Sequence, residues 1–138
     1  MSPYLVKSIF AVALVIVGTA AFASQMARMG IPDRQGDPEK LKKFHRTMGW
    51  LFVILLLALI YQGARFWVAA GDSLSIRAAF HIVLALGLIV MVLLKVLVVR
   101  TYRGFLRMAP AQGMAIFALM LIVFTLSAVF TGLMLVAK

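Results

Sequence analysis

The 138-residue chain contains no cysteine. That excludes disulfides, thiolate zinc sites, cysteine nucleophiles and iron–sulfur clusters held by this polypeptide. Acidic residues are nearly as scarce, with four Asp and Glu against fourteen Lys and Arg, for a net charge of +10. No carboxylate falls inside any of the long apolar runs, which argues against a carboxylate proton or cation relay at membrane depth. No Ser, His and Asp grouping stands out, and no Gly-rich phosphate loop with its Lys occurs. The longest polar stretch is roughly 20 residues, too short for a separate catalytic domain.

What is present is apolar. Hydrophobic residues make up 64% of the chain, where soluble domains average about half. The excess sits in four runs. A membrane span needs ~20 mainly apolar residues, because the hydrocarbon core is ~30 Å thick and a helix rises ~1.5 Å per residue. Open sheets and loops leave backbone polar groups unpaired in lipid, and a barrel would need short alternating strands that these runs do not form. The sequence therefore predicts an all-α integral membrane protein, an up-down four-helix bundle in a single transmembrane domain, with helices over about 4–23, 38–70, 74–99 and 110–137.

Local signals place the ends. Lys7, an apolar stretch and Ala21-Phe22-Ala23 before Ser24 imitate a signal peptide, but the stretch is long for that role and reads as an uncleaved helix. Residues 24–36 read as a polar loop containing Arg28. Asp37, Pro38 and Glu39 form a helix start with N-cap, first-turn proline and dipole-matched acid. Asp72 or Ser73 is the expected cap of the third helix, and Pro110 opens the fourth. Tyr61, Phe66 and Trp67 suit a membrane interface.

The cations fix an orientation. Arg28, Arg34, Lys40, Lys42, Lys43, Arg46, Lys95, Arg100, Arg103 and Arg107 fall on one side, and Lys7, Arg65, Arg77 and Lys138 on the other. The positive-inside rule then puts both termini outside and both basic connections in the cytoplasm, as in a prokaryotic inner membrane. Charge at helix ends is explained by topology and anionic lipid, so nucleic acid is not an expected partner.

Two membrane-region residues look chemically special, His45 and His81. Ionisable groups at membrane depth are functional candidates, and imidazole is a common haem and metal ligand. Folding the second and third helices back about Ser73 places His81 level with Arg65, an axial offset from His45 of ~30 Å. The two cannot share one iron, so two ligands mean two sites. Residues four apart share a helix face, so Gly49 follows His45 and Ala85 follows His81, leaving room for a flat group. Arg46 and Lys42 flank His45, and Arg77 lies one turn before His81. Arginine pairs well with carboxylates such as haem propionates.

The segment Lys43-Phe44-His45-Arg46-Thr47-Met48-Gly49-Trp50 resembles the His-Arg-x-x-Gly helix start of membrane b-type cytochromes of the ascorbate-reducible and ferric-reductase-like class. Arg77-Ala78-Ala79-Phe80-His81, with the apolar helix ending in Lys95 and Arg100, is similar to the next helix of that class. The resemblance covers about residues 40–103. It implies haem b, electron transport and exchange with quinol, with the two histidines serving different haems as iron ligands. The class supplies a second histidine for each haem from later helices, and the fourth helix here has none. Met114 at the inner level and Met134 at the outer level are the nearest substitutes, or another subunit supplies the ligand.

Other readings stay open. His45 in a basic cluster can contact lipid phosphate, and His81 can make a helix–helix hydrogen bond. The chain is then a haem-free structural or assembly subunit of a larger membrane complex. Met26, Met29, Met108 and Met114 beside His45 raise a third, copper(I) handling or transport, against which Met is a common packing filler. Lys95 reads as a snorkelling anchor.

Overall fold

In lipid the backbone must hydrogen-bond to itself, and the apolar runs do so as helices. The computed structural model describes residues 3–29, 37–71 and 75–136, with the side chains of 3–5, 70, 103 and 129–136 left aside. It contains α1 (Pro3–Met29), α2 (Pro38–Ala70), α3 (Ile76–Arg100), a 3-10 segment (Arg103–Met108) and α4 (Ala109–Val136). No strand occurs among the described residues. All four helices are long and apolar enough to cross a membrane. The chain is thus all-α and a multi-pass integral membrane protein, consistent with the expected four-helix bundle.

Residues group into two compact units, Met1–Asp72 and Ser73–Lys138. Each is an antiparallel helical hairpin: α1 packs on α2, and α3 on α4 with the 3-10 segment at their connection.

Capping chemistry explains the starts. Asp37 accepts from the Glu39 N–H at 3.0 Å with Pro38 in the first turn, as the sequence predicts. Ser75 caps α3 by accepting from the Ala78 N–H at 3.2 Å, in place of Asp72 or Ser73, which lie outside the described residues. Gly71 ends α2 at φ 52, a left-handed conformation that favours glycine, and its N–H donates to the Trp67 carbonyl. Helix α1 runs six residues beyond the expected end, so the segment expected to open a loop is helical. Hydropathy falls there, but Gln25, Met26, Ala27, Arg28 and Met29 are tolerable or good helix formers, and Arg28 in the last turn suits the dipole.

Interhelical contact falls on narrow stripes. In the first unit Leu14, Phe52 and Leu56 are buried, and Lys7 Nζ sits 5.0 Å from the Phe66 ring centre. In the second, Leu88 and Met120 are each only 2% exposed. His81, Leu88 and Lys95 recur one heptad apart on α3, and Gly113, Met120 and Ser127 do so on α4. A seven-residue repeat keeps one stripe facing its neighbour, the geometry of left-handed helix pairs. Most other apolar side chains point outward, Val68 and Ile76 at 85% and 80% exposure. Outward apolar groups are what a bilayer accepts.

Lipid tails are as apolar as Leu, so Leu88→Ala loses packing without losing hydrophobic transfer energy. We expect it to destabilise the second hairpin by about 1–2 kcal/mol, below the usual soluble-core range. Unfolding midpoints in mixed micelles check this, with the lipid-facing Val68→Ala expected to match wild type.

Candidate functional site

Both histidines reach across to the partner helix of their own hairpin. His45 lies in the second turn of α2, and its ring meets α1 near that helix's C-terminal end. His45 Nδ1 lies 2.9 Å from the Ala21 carbonyl oxygen and 3.1 Å from Ser24 Oγ. Ser24 Oγ in turn donates to the Ala21 carbonyl at 2.7 Å. Ser24 is only 4% exposed, so this network satisfies a buried hydroxyl.

The network fixes a tautomer. A carbonyl oxygen accepts and never donates, so His45 Nδ1 carries the hydrogen. Because the Ser24 proton goes to Ala21, the Ser24 oxygen also accepts from that N–H. In the neutral ring the lone pair then resides on Nε2. This is the arrangement in which ligating histidines are usually found, one ring nitrogen donating to a carbonyl and the other bearing the lone pair.

His81 is anchored in a related way. Its Nδ1 lies 3.2 Å from Ser127 Oγ on α4. A hydroxyl donates or accepts, so this contact places the ring without choosing its tautomer.

The other sequence candidates fall as follows. Arg46 is exposed beside His45, and Arg77 is exposed in the first turn of α3. Gly49 shares the His45 face of α2, and nothing lies within 4 Å of where its Cβ would be. Met114 stands next to Gly113, the residue over which Lys95 Nζ lies. It therefore occupies the Lys95 end of the hairpin, away from the His81–Ser127 level. The Met134 side chain lies outside the described residues; along α4 it is one heptad beyond Ser127. Among the described residues no group of three or more His, Cys, Asp or Glu gathers as a metal site.

Sequence reasoning missed the two serines. Ser24 falls in the stretch whose polarity reads as a loop, and Ser127 is an isolated hydroxyl in an apolar stretch of α4. Lys95, read as a snorkelling anchor, has its Nζ 2.9 Å from the position of a Gly113 Cβ. A shallow groove lined by Tyr61, Ala64, Arg65, Val68 and Ala69 lies far along α2 from His45.

No protein-family model, curated protein or solved structure matches this chain.

Interhelical polar contacts in membranes are worth ~0.6 kcal/mol on average and up to ~1.7. A double-mutant cycle of Ser24→Ala and His45→Ala should give a coupling energy within that range, read from the unfolding midpoint of the first hairpin. Additive effects, with no coupling, would remove the contact from the account.

Proposed function

We propose that the chain is a small electron-transfer subunit of a membrane complex that holds haem b, or contributes one axial ligand to it. The observation that carries this reading is the anchoring of His45 through Nδ1, which leaves the ligand lone pair on Nε2. His81 is the second candidate ligand, at a separate site. Open space at Gly49 suits a flat group beside His45. Arg46 and Arg77 supply cations for propionate carboxylates.

The donor set fits one axial position per site. Each unit contains a single histidine, His45 in the first and His81 in the second. In this reading a bis-histidine iron takes its other imidazole from a partner chain or a second copy. Haem, when bound, supplies a one-electron couple whose potential depends on its axial ligands. This chain's own residues hold the imidazole plane, fix the His45 proton on Nδ1 and offer cations to the carboxylates. Quinol exchanging electrons at a helix end beside a histidine completes the role. Both termini outside the cytoplasm of a prokaryotic cell is the topology that accompanies it.

A haem-free structural or assembly subunit is the second reading. It is favoured by the hydrogen bonds both histidines make to the neighbouring helix, which a packing role would need.

An optical spectrum of the purified protein, oxidised and then dithionite-reduced, tests the proposal. We expect a sharp reduced alpha band of b type, lost or shifted in His45→Ala and weakened in His81→Ala. A protein that stays colourless after haem is added, alone and with its co-purifying partners, contradicts the reading. Colour unchanged in both variants, with a weakened complex, supports the structural role instead.

A further inference from the structure

Residues 73–138 contain Arg77, Lys95, Arg100, Arg103, Arg107 and Lys138 and no Asp or Glu. Arg77 and Arg100 stand in the end turns of α3, and Arg103 and Arg107 in the connection to α4. Lys95 lies deeper, ~7.5 Å inside the end of α3 at ~1.5 Å per residue. It is partly buried, and its Nζ stands 2.9 Å from where a Gly113 Cβ would lie. Gly113 is itself a full turn past Ala109, the first residue of α4. The ammonium therefore lies across the helix pair, below both helix ends.

Among the described residues no hydrogen-bond acceptor or carboxylate meets the Lys95 ammonium. A cation at membrane depth is costly alone, and such residues pair with an opposite charge. The chain does not hold that charge. Its four acidic residues are Asp33, Asp37, Glu39 and Asp72. Asp37 and Glu39 stand at the start of α2, exposed and already paired with Lys40 and Lys42. Asp33 and Asp72 fall between the helices in the sequence. A second copy therefore brings no carboxylate to the depth of Lys95.

The surface around Lys95 is apolar. Val99, one turn on along α3, and Met114, beside Gly113, are 47% and 49% exposed. An apolar helix packs on such a surface, and a carboxylate on that helix at the same depth supplies the missing charge. Headgroup phosphates lie nearer the helix ends, at the level of Arg100 and Arg107.

We propose that the connection end of the α3–α4 hairpin docks a transmembrane helix of a different polypeptide, one that carries an Asp or Glu at the depth of Lys95. The ammonium and the carboxylate form an ion pair inside the bilayer. This rests on the reading of the chain as a subunit of a membrane complex, and it does not depend on haem.

The test uses the dye-labelled full chain in phosphatidylcholine vesicles with polyleucine transmembrane peptides. Each peptide carries an acceptor dye and one Asp, or one Asn, a turn and a half inside its end, and energy transfer reads association. Wild type should bind the Asp peptide about three-fold more tightly than the Asn peptide, the effect of one average interhelical polar contact. Lys95→Gln should abolish that preference, and Lys7→Gln, which removes a cation from the other hairpin, should keep it. Equal binding of the two peptides by wild type would overturn the proposal whatever the variants do. A preference that persists in Lys95→Gln, or that added phosphatidylglycerol removes, would overturn it too, the second by making the ammonium a headgroup site. Optical spectra of the same preparations keep the two readings apart. A b-type band without the preference overturns this inference alone, and the preference in a colourless protein supports it without haem.

Discussion

A polar group inside the hydrocarbon layer must find its partner within the protein, because no water is there to supply one. That constraint makes the backbone helical and then governs each polar side chain on the helices. Thr47 and Thr125 meet it locally, returning their hydroxyls to the carbonyls of Lys43 and Leu121 one turn back. Ser24, His45, His81 and Ser127 meet it across the helix pair. The same demand that closes the backbone therefore also fixes where the two imidazoles point.

The second hairpin shows how packing and polarity share one stripe. Leu88 and Met120 form its most buried layer. One heptad to one side is the His81–Ser127 contact, and one heptad to the other is Lys95 over Gly113. The apolar layer holds the register, and the register decides which polar residues meet. The first hairpin follows a similar rule: His45 and Phe52 lie one heptad apart on α2, one ring hydrogen-bonded to α1 and the other buried. A side chain changed at Leu88 would thus be felt at both ends of its helix pair.

Much of this was legible in the sequence. Four apolar runs without cysteine or internal carboxylate leave helices as the one architecture, and Asp37-Pro38-Glu39 marks the start of α2 because capping is local chemistry. The C-terminal end of α1 was not legible, since hydropathy marks where a span leaves lipid and says little about where a helix stops. The histidines were visible as isolated ionisable groups. Their partners were not, because pairing Ser24 with His45 depends on which faces of α1 and α2 pack together. The place of Lys95 Nζ against α4 was not legible for a similar reason, because it depends on the missing side chain of Gly113.

Both functional readings rest on the same feature, an imidazole fixed through Nδ1 to the adjacent helix. As a ligand, His45 needs that anchor to present Nε2; as a packing residue, it needs the anchor to join α1 to α2. The measurement that bears on it most directly is nitrogen-15 NMR of the His45 ring in bilayers, on cofactor-free protein at a pH where the ring is neutral. The account predicts a protonated Nδ1 and an unprotonated Nε2, with coupling between the Nδ1 proton and the Ala21 carbonyl. A ring protonated on Nε2 alone would contradict it, because the Ala21 carbonyl would then face a lone pair and the anchor would not exist.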